Sequence, residues 1–206
     1  MAINTTLWNR IRYTLYAPVY DWAASLLGGA RRLAIAQLAP QAGEKILLLG
    51  CGTGLDLEYF PQGVEIVAVD LTPAMVERTR RRAQTLGLNV EALVMDAEHL
   101  RLETEQFDAV VMHLILAVIP DPHACIKEAE RVLKPGGRVS VLDKFVPPGQ
   151  RPGAMRKVFN IFTSTLFSDI TRSLELLLGL TRLQVTEDKP ALLNGAFRAV
   201  TAIEPA

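Results

Sequence analysis

Cysteine is scarce in this chain: Cys51 and Cys125 are the two present among 206 residues. Two thiols are too few for a secreted disulfide scaffold or a cysteine-rich zinc site. Histidine is nearly as rare. His99, His113 and His123 fall in no HxxxH or HxH spacing, so no metal centre is expected. An excess of charge of one sign is also missing. Lys plus Arg and Asp plus Glu each number 22, giving a formal net charge of zero. That balance argues against a globally basic nucleic-acid binder, and no nucleic-acid partner is expected. Long apolar runs are absent too. The longest uncharged stretch follows Asp108 and spans about a dozen residues, short of the ~20 a membrane helix needs. The N-terminus lacks the basic, apolar, small-residue order of a signal peptide. A reduced, cytoplasmic protein is therefore expected.

What is present is a globular composition. Half the residues are apolar and 21% are charged, which excludes a disordered or fibrous chain. At ~150 residues per domain the length suits one domain, 1–206, with some elaboration. The charge is unevenly spread. Residues 1–40 carry four basic residues against one acidic. Residues 41–143 carry ten basic against sixteen acidic, and residues 144–182 six basic against two acidic. The two basic segments are also rich in aromatic and apolar residues. Such flanks suit contact with an anionic lipid surface, or equally two amphipathic helices packed on a core.

The middle alternates strand and helix signals. Ile46–Leu49, Val64–Val69, Val90–Met95, Phe107–Met112 and Arg138–Leu142 read as strands. Leu55–Phe60, the stretch from Pro73 to Gly87, and the stretch from Pro122 to Leu133 read as helices. Strands alternating with helices predict a doubly wound α/β sheet with parallel pairing. A long helical stretch from Pro152 to Gly179 follows. Two strands near Leu183–Glu187 and Phe197–Ile203 then predict an antiparallel hairpin at one edge.

Leu49-Gly50-Cys51-Gly52-Thr53-Gly54 follows the first strand and opens a helical stretch. Glycines there let the backbone turn tightly and approach a ligand closely. Asp70 lies twenty residues after Gly50, at the tip of the second strand, where a carboxylate can accept from both ribose hydroxyls. Asp96 ends the third strand, where it can accept from an adenine amino group. The loop lacks the G-x-G-x-x-G spacing of a nicotinamide dinucleotide site. A nucleoside without phosphates fits better.

The run ILLLGCGTG, VAVDLTPAM, VMDAEHL, FDAVVMHLILAVIPDP and EAERVLKPGGRVSVLD resembles the class I S-adenosylmethionine-dependent methyltransferases over about residues 44–143. The stretch Tyr13 to Asp21 and the final hairpin extend the resemblance. It implies a Rossmann-like seven-stranded methyltransferase sheet, mostly parallel with an antiparallel C-terminal hairpin. It implies a helical lid over 1–40, a cofactor-binding core over 41–146, a helical substrate cap over 147–181 and the hairpin over 182–206. The implied cofactor is S-adenosylmethionine. Carried over by position, Gly50, Cys51, Gly52 and Gly54 hold its methionine and ribose side. Asp70 takes the ribose hydroxyls, Leu71 and Met75 flank the adenine, and Asp96 with Ala97 faces the adenine amino group. Tyr13 and His113 complete the cofactor pocket. One position departs from the pattern. The family has an acid two residues before the first glycine, and this chain has Leu48.

Methyl transfer asks the protein to align the acceptor with the S–CH3 bond and to exclude water. His113, at the end of the fourth strand, is the candidate base, and Tyr20 is a candidate lid residue at the acceptor. Val158–Phe167 holds three phenylalanines, and the N-terminal stretch holds Trp8, Tyr13, Tyr16, Tyr20 and Trp22. Together they suggest an apolar, lipid-like acceptor reached from the inner face of a membrane. The resemblance is strongest to bacterial phosphatidylethanolamine N-methyltransferases. Quinone-biosynthesis methyltransferases share much of the pattern. A binding protein without catalysis is the third reading, motivated by Leu48. The two cysteines argue against thiol-dependent metalloid methylation.

Overall fold

The computed structural model of the chain describes residues 26–146 and 171–205. Tyr13, Tyr20, the rest of the expected lid before residue 26, and residues 147–170 of the expected cap lie outside them. The described chain runs α1 (Gly28–Leu38), β1 (Lys45–Leu49), a 3-10 turn (Leu55–Tyr59), β2 (Glu65–Asp70), α2 (Pro73–Leu86), β3 (Asn89–Val94) and β4 (Phe107–His113). It continues through α3 (Pro122–Val132), β5 (Leu133–Lys144), α4 (Leu174–Leu178), β6 (Gln184–Leu192), a second 3-10 turn (Leu193–Gly195) and β7 (Phe197–Ile203).

The strands form one seven-stranded sheet in the order β3-β2-β1-β4-β5-β7-β6. β1 to β5 pair in parallel, and β7 runs antiparallel between β5 and β6. The order reverses between β1 and β4, so the crevice that binds ligands in such sheets opens at their C-terminal ends. Side chains alternate across each strand. Leu47, Leu49, Val67, Val69, Val110 and Met112 fall in one buried cluster with Cys125, Ile126 and Ala129 of α3. Ile46, Leu48, Ile66, Ala68 and Val111 fall in a second cluster with Ile35 and Leu38 of α1 and Val76 of α2. Near-continuous apolar strands are what a sheet covered on both faces requires.

Local chemistry sets the helix ends. Pro73 starts α2, and Gly87 ends it in the left-handed conformation at φ 63°, donating to Ala83 and Gln84 carbonyls. The Asp121 side chain caps α3 by accepting from His123 N and Ala124 N, both at 3.0 Å. Three boundaries differ from expectation. The Leu55–Tyr59 stretch is 3-10 rather than α, because Pro61 and Gly63 leave no room for longer propagation. β5 starts at Leu133, since Leu133 pairs with Phe107, and Gly136 and Gly137 exchange backbone bonds with Glu204. β6 runs on to Leu192 because β7 offers a partner along its whole length. Pro190 is tolerated there on an edge strand beside a register shift. Among the described residues no helix is long and apolar enough to cross a membrane.

Candidate functional site

Beyond Leu49 the chain leaves the sheet through Gly50, Gly52 and Gly54, whose φ values are 64°, 55° and 79°. Side chains other than glycine are strained there. At Gly50 space is closed as well, since a Cβ would sit 2.7 Å from Ile115 Cδ1. The loop is fixed from three sides. Cys51 N donates to Val69 O, Gly52 N donates to Asp70 Oδ2, and the Thr79 hydroxyl donates to Gly52 O, each at 2.9 Å. Cys51 itself is buried with its sulfur 3.4 Å from Thr79 Oγ1. Burial, then the nearby Asp70 charge, push its thiol far above the ordinary range, so it is no nucleophile.

Asp70, at the end of β2, accepts from Gly52 N on one oxygen and from Thr72 N on the other, at 2.9 Å each. Burial pushes its pKa up, and the two backbone donors oppose that. Each carboxylate oxygen offers two lone-pair directions, so the group can hold the loop and still accept from a diol. Asp96 accepts from Glu98 N at 3.0 Å just past β3, with Ala97 buried beside it. These groups line one cleft together with Gly50, Cys51, Gly52, Leu71, Met75 and His113. Gly54 sits behind the cleft, against Thr79 and Leu57.

His113, at the end of β4, lines the cleft, and both of its ring nitrogens meet buried partners. Its Nδ1 lies 2.6 Å from Asp56 Oδ1 and its Nε2 lies 3.0 Å from Ser140 Oγ. With Asp56 ionised, Nδ1 donates to it, and the Ser140 hydroxyl facing Nε2 also lies 3.4 Å from Ala34 O. Asp56 Oδ2 accepts from Arg31 Nη1 of α1. Burial pushes Asp56 up, but the charges and hydrogen bonds of Arg31 and His113 more than offset this. The carboxyl is held well below the usual range. A buried Arg31–Asp56–His113–Ser140 chain thus runs from α1 through the glycine-loop turn to β4 and β5. Sequence reasoning missed Arg31, Asp56 and Ser140. One signal was available: Arg31 shares a helix face with Ala34, Ile35 and Leu38, three, four and seven residues on, where a solvated arginine does not belong.

The opposite wall is the Leu114–Pro120 loop, also missed. Leu114 adopts φ 61°, a strained value for its type, and donates its N–H to Leu142 O at 2.7 Å. Asp143 accepts from Ala117 N at 2.9 Å, and Arg172 donates to the carbonyls of Leu116 and Ile119. Ile115, Val118 and Ile119 present apolar surface to the cleft.

These residues fit a nucleoside with an amino-acid tail better than a nucleotide. Among the described lining residues Asp70, Asp96 and Glu98 are acidic, and Arg31 is the one lysine or arginine. Phosphates would meet carboxylates there. A diol, an exocyclic amine and an apolar base would meet acceptors and the side chains of Leu71 and Met75.

Comparison with known proteins agrees. Residues 47–141 match the methyltransferase domain family. The chain is 29% identical over 181 residues to a phosphatidylethanolamine N-methyltransferase of Cereibacter sphaeroides, covering 87% of this chain and 89% of that one. It is 37% identical over 154 residues to a demethylmenaquinone methyltransferase of Thermus thermophilus, covering 71% and 69%. The methyltransferase solved in complex with the Haloferax volcanii Trm112 methyltransferase activator has the same fold. Its TM-score is 0.78 at 17% identity, over 94% of this chain and 98% of that one. Cleft chemistry, topology and a relative sharing more than a third of its aligned residues agree, and the chain belongs to the class I S-adenosylmethionine-dependent methyltransferases.

Proposed function

We propose that the chain methylates the amine of a phospholipid headgroup of the phosphatidylethanolamine kind. The observation that carries this reading is coverage. Similarity to the phosphatidylethanolamine N-methyltransferase spans 87% of this chain, well beyond the 47–141 core. Acceptor specificity in this fold resides outside the cofactor cleft, since the shared motifs hold the cofactor. Similarity to the demethylmenaquinone methyltransferase is higher in identity but shorter, at 71% of the chain. A quinone acceptor is therefore the competing reading. The basic, aromatic segments 1–40 and 144–182 support a lipid source, because Arg and aromatic side chains suit an anionic headgroup layer.

The cofactor supplies a methyl group on a sulfonium, an electrophile that needs no further activation. The chain's residues bind and orient. Asp70 and the glycine loop hold one end, the Leu114–Pro120 wall excludes water, and the acceptor amine must arrive with its lone pair free. In this reading His113 is a positioning residue that fixes Asp56 and Ser140. His113→Asn is then expected to weaken S-adenosylhomocysteine binding about tenfold, through loss of a charge-assisted bond. If kcat instead falls a hundredfold or more with that affinity unchanged, the positioning role fails and a base is indicated.

The acceptor is tested with methyl-labelled S-adenosylmethionine and vesicles of phosphatidylethanolamine and phosphatidylglycerol containing a demethylated quinone. The expected outcome is label in the chloroform phase that comigrates with N-methylated lipid. Label on the quinone, or in water alone, overturns the proposal.

A further inference from the structure

We propose that Asp143 is a positioning residue, which sets the Ile115 wall of the cleft by gripping the peptide between Leu116 and Ala117. The inference rests on the reading of the cleft as an S-adenosylmethionine site.

The starting observation is where the strand pairing stops. β4 and β5 run in register as far as His113 opposite Leu142. The chain then turns away at Leu114, and Asp143 is the first β5 residue with no β4 residue opposite. Asp143 shares a face of β5 with Val139 and Val141, which lie in the buried cluster that also holds Ile115 and Leu116. The strand thus delivers a carboxylate under the departing loop.

The loop needs it. Asp143, Leu116 and Ala117 are all buried. Backbone groups at that depth need partners, since an unpaired one is costly. The Ala117 N–H donates to Asp143 Oδ2 at 2.9 Å, and the Leu116 carbonyl accepts from Arg172 Nη1. One peptide is therefore held at its N–H end by an anion and at its carbonyl end by a cation. A flip would turn its carbonyl toward the carboxylate and its N–H toward the guanidinium, so both contacts oppose it. Asp143 is itself fixed. Its other oxygen accepts from Lys144 N at 2.8 Å, and the backbone that carries it pairs with β7 at Arg198. Arg172 has further contacts, among them Ile119 O at 2.8 Å. The far end of the loop is tied down as well, where Asp121 N donates to Glu98 Oε1 at 2.7 Å.

Ile115 shows what the grip does. It is the residue before the held peptide, is 5% exposed and lines the cleft. It also packs on the glycine loop, because the Cβ that Gly50 lacks would fall against it. Interiors this closely packed pass displacements on. A shift of the Leu116–Ala117 peptide therefore moves Ile115 against Gly50 and into or out of the cleft. Methyl transfer depends on alignment, and misplacement by ~1 Å is costly.

The test combines titration calorimetry with S-adenosylhomocysteine and amide hydrogen exchange. Asp143→Asn leaves one acceptor oxygen for two N–H groups and is expected to weaken S-adenosylhomocysteine about tenfold. Asp143→Ala leaves both N–H groups unpaired and endangers the fold, so Asp143→Asn carries the comparison. Exchange at the Ala117 N–H should rise about tenfold in Asp143→Asn, with β4 amides at wild-type rates. Ile115→Ala is also expected to weaken the ligand about tenfold, through lost apolar contact. If Asp143 acts through Ile115, the two substitutions together cost less than about thirtyfold, against about a hundredfold for independent sites. A hundredfold loss in the double variant, or wild-type affinity in Asp143→Asn, overturns the proposal. Faster exchange throughout β4 also overturns it, since that marks a general structural role. If the wild-type protein binds no S-adenosylhomocysteine, the cofactor reading itself falls, and this inference with it.

Discussion

Asp70→Ala is expected to raise the dissociation constant of S-adenosylhomocysteine about 100-fold or more. Two hydrogen bonds from a ribose diol to an ionised carboxylate contribute roughly 1.5–3 kcal/mol each, and 1.4 kcal/mol is tenfold. A second loss adds to the first. Asp70 also accepts from Gly52 N and Thr72 N, so its removal frees the loop that frames the cleft. Both S-adenosylhomocysteine and 5′-methylthioadenosine should weaken, since both carry the ribose. Asp70→Asn keeps one acceptor oxygen but turns a donor toward Gly52 or Thr72, so it should recover little. Titration calorimetry on the two variants checks this. Wild-type affinity in Asp70→Ala would remove Asp70 from the ribose end.

The second large effect concerns stability. Asp56→Ala removes the carboxylate between Arg31 and His113, both buried. Breaking a buried ionic pair by deleting one partner costs about 3–5 kcal/mol. For a chain of this size that lowers Tm by roughly 6–20 °C. The pH dependence has a definite sign. Asp56 is held below its ordinary pKa in the folded state, by Arg31 and His113 against the opposing effect of burial. Its contribution is therefore fully present above the unfolded carboxyl value, ~4, and is lost as pH falls through the lower folded value. Wild type and Asp56→Ala should differ most in Tm at neutral pH and converge in strong acid. Thermal unfolding between pH 7 and pH 2 measures this. A constant gap across that range would mean that packing, not charge, carries the effect.

Much of the cofactor half of the site was legible along the chain. Gly50, Gly52, Asp70 and Asp96 fall at strand ends that apolar runs already mark, and the fold brings all four to one cleft. α2 and α3 were equally legible, because Pro73, Gly87 and Asp121-Pro122 punctuate periodic apolar patterns. The length of β6 was not. Its exposed, charged residues carry no strand signal, and pairing with β7 holds them extended.

By itself the amino-acid sequence determined the α/β alternation, the glycine loop, the acids at the ends of β2 and β3 and the family. Each depends on residues within a few positions of one another, or on one strand tip repeated. Only the tertiary structure decided which partners His113 meets and where the cleft's cation comes from. Arg31, Asp56, His113 and Ser140 are separated by 25, 57 and 27 positions along their successive contacts. No local period joins such residues. They meet because β4 and β5 pair in register and α1 packs its one charged apolar-face residue down onto the turn that the glycines make.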